Sequence, residues 1–108
     1  MADAISDGSI TLELHGALAD KFAALGRRRG TRTLVDVPLT DTPRVADLMA
    51  RLVDADHRYA LLYDADAARL PEHVEVVLND RVIELQGGLE ACLKPGDVLS
   101  FLPAHAGG

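Results

Sequence analysis

Few residues in this chain have both the type and the spacing to do chemistry by themselves. His15, His57, His73 and His105 show no metal-ligand spacing such as His-x-x-x-His, and four scattered histidines read as surface residues. Ser100 sits in no Gly-x-Ser-x-Gly elbow. Cys92 is the single cysteine, which excludes an internal disulfide and a cysteine zinc cluster. With no sequence-local group to activate it, Cys92 is expected to pack as a small hydrophobe. Gly87-Gly88 lacks the Lys-Ser or Lys-Thr that a phosphate loop needs, so it reads as a turn. Arg27-Arg28-Arg29 is read as an exposed loop, open either to solvent or to an acidic partner. Carboxylates are plentiful, but no pair stands out by spacing. The expectation is a protein with no catalytic centre and no metal site of its own.

The carboxyl end is the exception. Its closing run is Leu93-Lys94-Pro95-Gly96-Asp97-Val98-Leu99-Ser100-Phe101-Leu102-Pro103-Ala104-His105-Ala106-Gly107-Gly108. Taken alone, a terminal Gly-Gly is a frayed end. Here it follows a Pro-Gly-Asp turn, an alternating apolar strand and a proline, so a carboxylate at Gly108 would sit on a short tail beyond a structured strand.

The elements that must hold this tail are legible from periodicity. Residues 1–8 read as a flexible leader. Ile10, Leu12 and Leu14 alternate with polar residues, giving a half-buried strand. Leu18, Phe22 and Leu25 fall at helical spacing, with Gly26 as the stop. Thr33, Val35, Val37 and Leu39 alternate with Leu34, Asp36 and Pro38 as a second strand, where Pro38 marks its end or an unpaired edge position. Thr42 is expected as an N-cap and Pro43 as the first residue of the main helix. Val45, Leu48, Met49, Leu52 and Val53 make its apolar stripe. Residues 54–72 read as a connection with one short helical turn. Val74, Val76 and Leu78 alternate again, Asn79-Asp80 signals a turn, and Val82-Ile83-Glu84-Leu85 continues as strand. Val98 to Leu102 is the last strand, stopped by Pro103.

Composition fits one small domain. The chain has 108 residues, 48% hydrophobic and 26% charged, against a norm of about 100–150 residues per domain. With 11 basic and 17 acidic residues its net charge is −6, which argues against a nucleic-acid partner. Aromatics are 4% and Trp is absent, so base-stacking platforms are not expected and the core must be aliphatic. The start lacks a signal peptide's basic and apolar regions, and no run of 18 apolar residues exists; a cytoplasmic protein with no membrane partner is expected. Strands around one helix imply an α+β, two-layer domain over 9–103, with 104–108 as a flexible tail.

The ending resembles that of the ubiquitin-like sulfur-carrier family, which includes the molybdopterin synthase small subunit and the thiamine-pathway sulfur carrier. The resemblance rests on Gly96-Asp97, Leu99, Phe101, Pro103, Gly107 and Gly108, and on Asn79-Asp80 after a Val-rich strand. It implies a β-grasp fold: a mixed sheet packed on one main helix. The departure is Ala104, where the family often has a second proline.

The resemblance also implies a chemistry. An E1-like adenylating enzyme would use ATP to join the Gly108 carboxylate to AMP. A sulfur donor of cysteine desulfurase or rhodanese type would then displace AMP and leave a thiocarboxylate. No cofactor would be bound tightly. Pro103, Ala104, His105, Ala106 and Gly107 would insert into a partner, the glycines passing a narrow channel because they lack Cβ and Pro103 stiffening the exit. Leu102 is expected to face out as a docking residue. Val98 either joins it or packs beneath residues 54–72. The segment from Ala17 to Gly30 favours the molybdopterin branch, with that synthase's large subunit as partner. Thiamine, cysteine or tRNA thiolation, conjugation to lysine, or an unmodified β-grasp binding module are the alternatives. The −6 charge predicts basic patches on partner surfaces.

Overall fold

The computed structural model describes residues 8–39 and 43–103. In order, the elements are β1 (Ser9–Leu14), α1 (Ala17–Lys21), β2 (Arg27–Arg29), β3 (Arg32–Pro38), α2 (Val45–Ala55), β4 (Val74–Leu78), β5 (Arg81–Val82) and β6 (Val98–Pro103). Short 3-10 turns follow α1, α2 and β5. The six strands form one sheet in the order β2-β3-β1-β6-β4-β5. β1 runs parallel to β6, and the other pairings are antiparallel. A mixed sheet with one main helix is the β-grasp arrangement expected from the sequence.

The alternating residues bury as their period requires. Ile10, Leu12, Leu14, Val35, Val37, Val74, Val76, Leu78, Leu99 and Phe101 all enter the core. Val45, Leu48 and Met49 of α2 are buried with them, while Leu52 and Val53 pack at its margin. Each fully buried Leu or Phe contributes on the order of 2 kcal/mol through area removed from water.

Several local expectations change. Pro43 is not the first helical residue. Backbone bonds from Val45 N to Ala91 O and from Leu93 N to Pro43 O, both 2.9 Å, bridge Arg44 to Cys92 with Arg44 extended, and the helix starts at Val45. Thr42, the expected cap, lies outside the described residues. Arg27–Arg29 is not a loop but edge strand β2, paired antiparallel with Arg32–Leu34. The strand expected over 82–85 stops at Val82 and turns into a 3-10 helix. Gln86 Nε2 closes that turn by donating to Leu78 O and Arg81 O, both at 2.9 Å. The 54–72 connection carries more structure than expected. It sends Tyr59, Leu62 and Tyr63 into the core, and the Tyr59 ring lies 5.4 Å from that of Phe22.

Gly26 stops the first helical segment as expected, and does so without a left-handed backbone. Its backbone is extended, with φ −149°. What it needs is the missing Cβ: one built there would lie 2.1 Å from the Leu34 carbonyl oxygen. Both the α1 segment and β3 would have to separate to admit it. Gly26→Ala should therefore lower unfolding stability by about 2 kcal/mol or more, read as a shifted urea midpoint. An unchanged midpoint would show that the backbones part freely.

Candidate functional site

β6 ends where the Gly-Gly tail begins, and both its ends are pinned. At the entry, Asn79 and Asp80 adopt left-handed backbone, φ 52° and 72°, in the β4–β5 hairpin. That turn aims the Asn79 amide at β6: Nδ2 donates to Asp97 Oδ1 at 3.0 Å, and Val98 N donates to Asn79 Oδ1 at 2.9 Å. Asp97, only 6% exposed, also accepts from Lys94 N at 2.8 Å. A buried carboxylate needs such donors to be tolerated at all. At the exit, Pro103 pairs with Val74. It also rests on Gly16, whose φ is +59° and where a Cβ would lie 3.0 Å from Pro103 Cγ. Between these pins, His15 N donates to Phe101 O at 3.1 Å.

Leu99 and Phe101 are wholly buried, so Val98, Ser100 and Leu102 face the other way. Strand register sets Leu34, Val77 and Val82 on that same face, and none of these apolar residues belongs to the core. Val98 lies in register with Thr11 on the open face, while residues 54–72 send their aromatics to the core side. Leu102 shares the open face with Val98, beside the tail's exit.

Glu13 is the polar centre of this face. Its Oε1 accepts from Ser100 Oγ at 3.0 Å and from His15 Nε2 at 2.9 Å, and its Oε2 accepts from Arg32 Nη1 at 2.9 Å. Burial by itself pushes the Glu13 pKa up. The hydrogen bonds from His15 and Ser100 and the charge of Arg32 outweigh it and hold the carboxyl below 4.5. Nearer the sheet edge, Asp36 accepts from Arg27 at 2.6 Å and from Thr11 at 2.9 Å, and these two bonds hold its pKa low. The sequence reading did not single out Glu13. A signal existed, because Glu13 and His15 are two apart in a strand and must share a face. Arg32 and Ser100 join from distant strands, which no local pattern shows.

Of the residues expected to act, Leu102 and Pro103 lie together at the exit of β6, while Val98 opens the strand at its far end. Ala104, His105, Ala106, Gly107 and Gly108 lie outside the described residues. Cys92 is exposed rather than packed, because Ala91 and Leu93 on either side take the inward positions. The histidines are not simply scattered: His15 bonds Glu13, and the fold brings His57 and His73 to one groove. Among the described residues, no group of three or more His, Cys, Asp or Glu is placed to hold a metal ion. No helix among them is long and apolar enough to cross a membrane.

The Glu13 cluster has a pH signature. A carboxyl with a lowered folded pKa contributes stability that is fully present above its unfolded value of 4.5 and is lost as pH falls through the lower folded value. Glu13→Gln should flatten the fall of stability on the acid side of pH 4.5, as measured by urea unfolding between pH 3 and 7. Parallel curves for the two proteins would show that the cluster carries no such linkage.

Comparison with known proteins meets this geometry from outside. No curated protein sequence matches the chain. The chain is similar in structure to the small archaeal modifier protein 1 of Methanosarcina acetivorans, at 21% identity and a TM-score of 0.65, over 94% of this chain and 98% of that one. It is similar to Urm1 of Trypanosoma brucei at 22% identity and a TM-score of 0.61, over 97% and 100%. A Pyrococcus furiosus protein assigned as molybdopterin converting factor, subunit 1, matches at 18% identity and a TM-score of 0.58, over 91% and 99%. At these identities the likeness shows the β-grasp fold. The family follows from the sequence model described as the ThiS family, which matches residues 22–108 and so takes in α2, β6 and the Gly-Gly ending. This protein belongs to the ThiS family of ubiquitin-like sulfur carriers.

Proposed function

We propose that the protein carries sulfur on its carboxyl terminus and serves as the small subunit of a molybdopterin synthase. The observation that carries the first part is the placement of β6. A strand held on both sides, and pinned at both ends, delivers a five-residue tail ending in Gly107-Gly108 from a fixed point. The molybdopterin branch is favoured by the helical segment between β1 and β2, formed by α1 and the turn Ala23–Leu25. The likeness to the Pyrococcus furiosus protein agrees with it.

The chemistry would run in two displacements. A Gly108 carboxylate oxygen attacks the α-phosphorus of ATP on an activating enzyme, and pyrophosphate leaves. A sulfur nucleophile at the sulfide level then adds to the carbonyl carbon. The carbon–oxygen bond to AMP breaks, and AMP departs with the electron pair. The partner enzyme supplies base, metal and electrostatic stabilisation. The carrier supplies the reacting group and its address, with Leu102 as a docking contact beside the tail, Val98 as one at the other end of β6, and Pro103 to Gly107 as the inserted segment. The acceptor would be a molybdopterin synthase large subunit. A second reading, conjugation of Gly108 to lysine, is favoured by the likeness to the small archaeal modifier protein. Carriers for thiamine, cysteine or tRNA thiolation share the same first steps.

Intact mass after incubation with ATP, the activating enzyme and a sulfur donor tests the reading. Exchange of one terminal oxygen for sulfur is expected. Deleting Gly108 should abolish the product and leave thermal stability unchanged. Failure of the wild-type chain to form either adenylate or thiocarboxylate with a competent enzyme would sink the carrier reading. Lysine-linked conjugates in place of a stable complex with a synthase large subunit would select the modifier reading.

A further inference from the structure

The segment between α2 and β4 does more than fill the core. It walls a groove of about 400 Å³. Val53, Ala60, Leu61 and Leu70 supply its apolar surface, and Leu61 is one of two large hydrophobic residues that stand exposed among the described residues. Asp64, Asp66 and Glu72 line it with Arg69, so acidic residues outnumber the one guanidinium three to one. The wall is preformed. Asp64 Oδ1 accepts from the backbone N–H groups of Asp66 and Ala67, both at 3.1 Å, and the Asp64 and Arg69 backbones bond each other twice, at 2.8 and 3.2 Å. The Asp66 and Glu72 side chains make no hydrogen bond or ion pair among the described residues and are free to receive one.

The groove also has a telling position. His73 lines it, and the next residue, Val74, pairs with Pro103 at the end of β6. The rim of the groove thus lies next to the point where β6 ends.

We propose that the groove docks a basic segment of the enzyme that takes the tail, accepting a lysine or arginine side chain. Its aliphatic stem would lie on the apolar surface and its cation among Asp64, Asp66 and Glu72. The net negative lining and the chain's charge of −6 favour this occupant on charge complementarity. They disfavour the chain's own tail, whose terminal carboxylate would meet three others. The proposal rests on the carrier reading for the enzyme's identity, but the groove's preference for cations can be read without it.

The first measurement uses the isotopically labelled full chain, titrated with the peptide acetyl-Leu-Arg-Leu-Arg-amide and followed by amide chemical shifts. Shifts concentrated in residues 57–73 are expected, with none from the acetyl-Leu-Glu-Leu-Glu-amide control. The exposed pair Asp66→Lys and Glu72→Lys should weaken binding roughly tenfold or more while leaving the spectrum folded. Equal shifts from both peptides, shifts mapping to Val98 and Leu102, or undiminished binding by the double variant would each overturn the proposal. Nuclear Overhauser contacts from residues 104–108 to the groove in the free chain would make the tail the occupant and overturn it too.

The second measurement is thiocarboxylate formation by the same double variant. Its KM as substrate of the activating enzyme should rise about tenfold at unchanged kcat, since tail chemistry at saturation is untouched. An unchanged KM would place that enzyme elsewhere and reject the proposal for it. If wild-type chain yields no thiocarboxylate, the carrier reading fails on its own, and the peptide titration still decides the groove.

Discussion

Everything in this molecule depends on β6 lying inside the sheet rather than at its edge. β6 is parallel to β1 on one side and antiparallel to β4 on the other. Interior placement satisfies its backbone groups on both sides and buries Leu99 and Phe101 completely. It also fixes where the chain emerges at Pro103. An edge strand would fray and leave the tail's origin undefined. The Asn79–Asp97 clasp and the Gly16–Pro103 contact extend this constraint to both strand ends. They are polar at the entry and steric at the exit, so they tolerate different changes: the first fails when a hydrogen-bonding group is lost, the second when Gly16 gains a Cβ.

The two faces of the sheet divide the work. One is sealed by α2 and the aromatics of the 54–72 segment. The other holds Glu13 and its three partners between apolar residues of β3, β4, β5 and β6. A half-buried carboxylate with three donors is a rigid polar mark on an otherwise adaptable surface, because the alternative to those bonds is desolvation without compensation. Arg32 and Ser100 reach Glu13 from strands on either side of β1. The cluster thereby ties β3, β1 and β6 together by side chains as well as backbone.

Much of this was legible in the sequence because period-2 and period-3.6 patterns are strong where one face is buried. Ile10 to Leu14, Thr33 to Leu39, Val74 to Leu78 and Val98 to Leu102 each announced which residues turn inward. The errors came where non-local pairing overrides local preference. Pro43 reads as a helix start, but backbone bonds to Ala91 and Leu93 hold the chain extended at Arg44 and delay the helix to Val45. Arg27–Arg29 reads as loop because its charge hides that β3 needs a neighbour. The run 82–85 has strand composition, but the Gln86 amide closes it into a turn. The candidate site was legible in its ending and silent in its surroundings. Gly107-Gly108 and the Pro103 stop are local motifs, whereas Glu13, Arg32 and the groove at His57 and His73 exist only once distant segments meet.

The pairing of β1 with β6 has a consequence for synthesis. Glu13 and Ser100 bond across 87 residues of sequence, so nearly the whole chain must exist before the sheet can close. A nascent or prematurely terminated chain lacking 98–103 has an open gap between β1 and β4 and two hydrophobic strands without their shared neighbour. The strand that completes the sheet is thus the very segment that precedes the tail, so the chain cannot close its fold without also fixing the point from which its last residues depart.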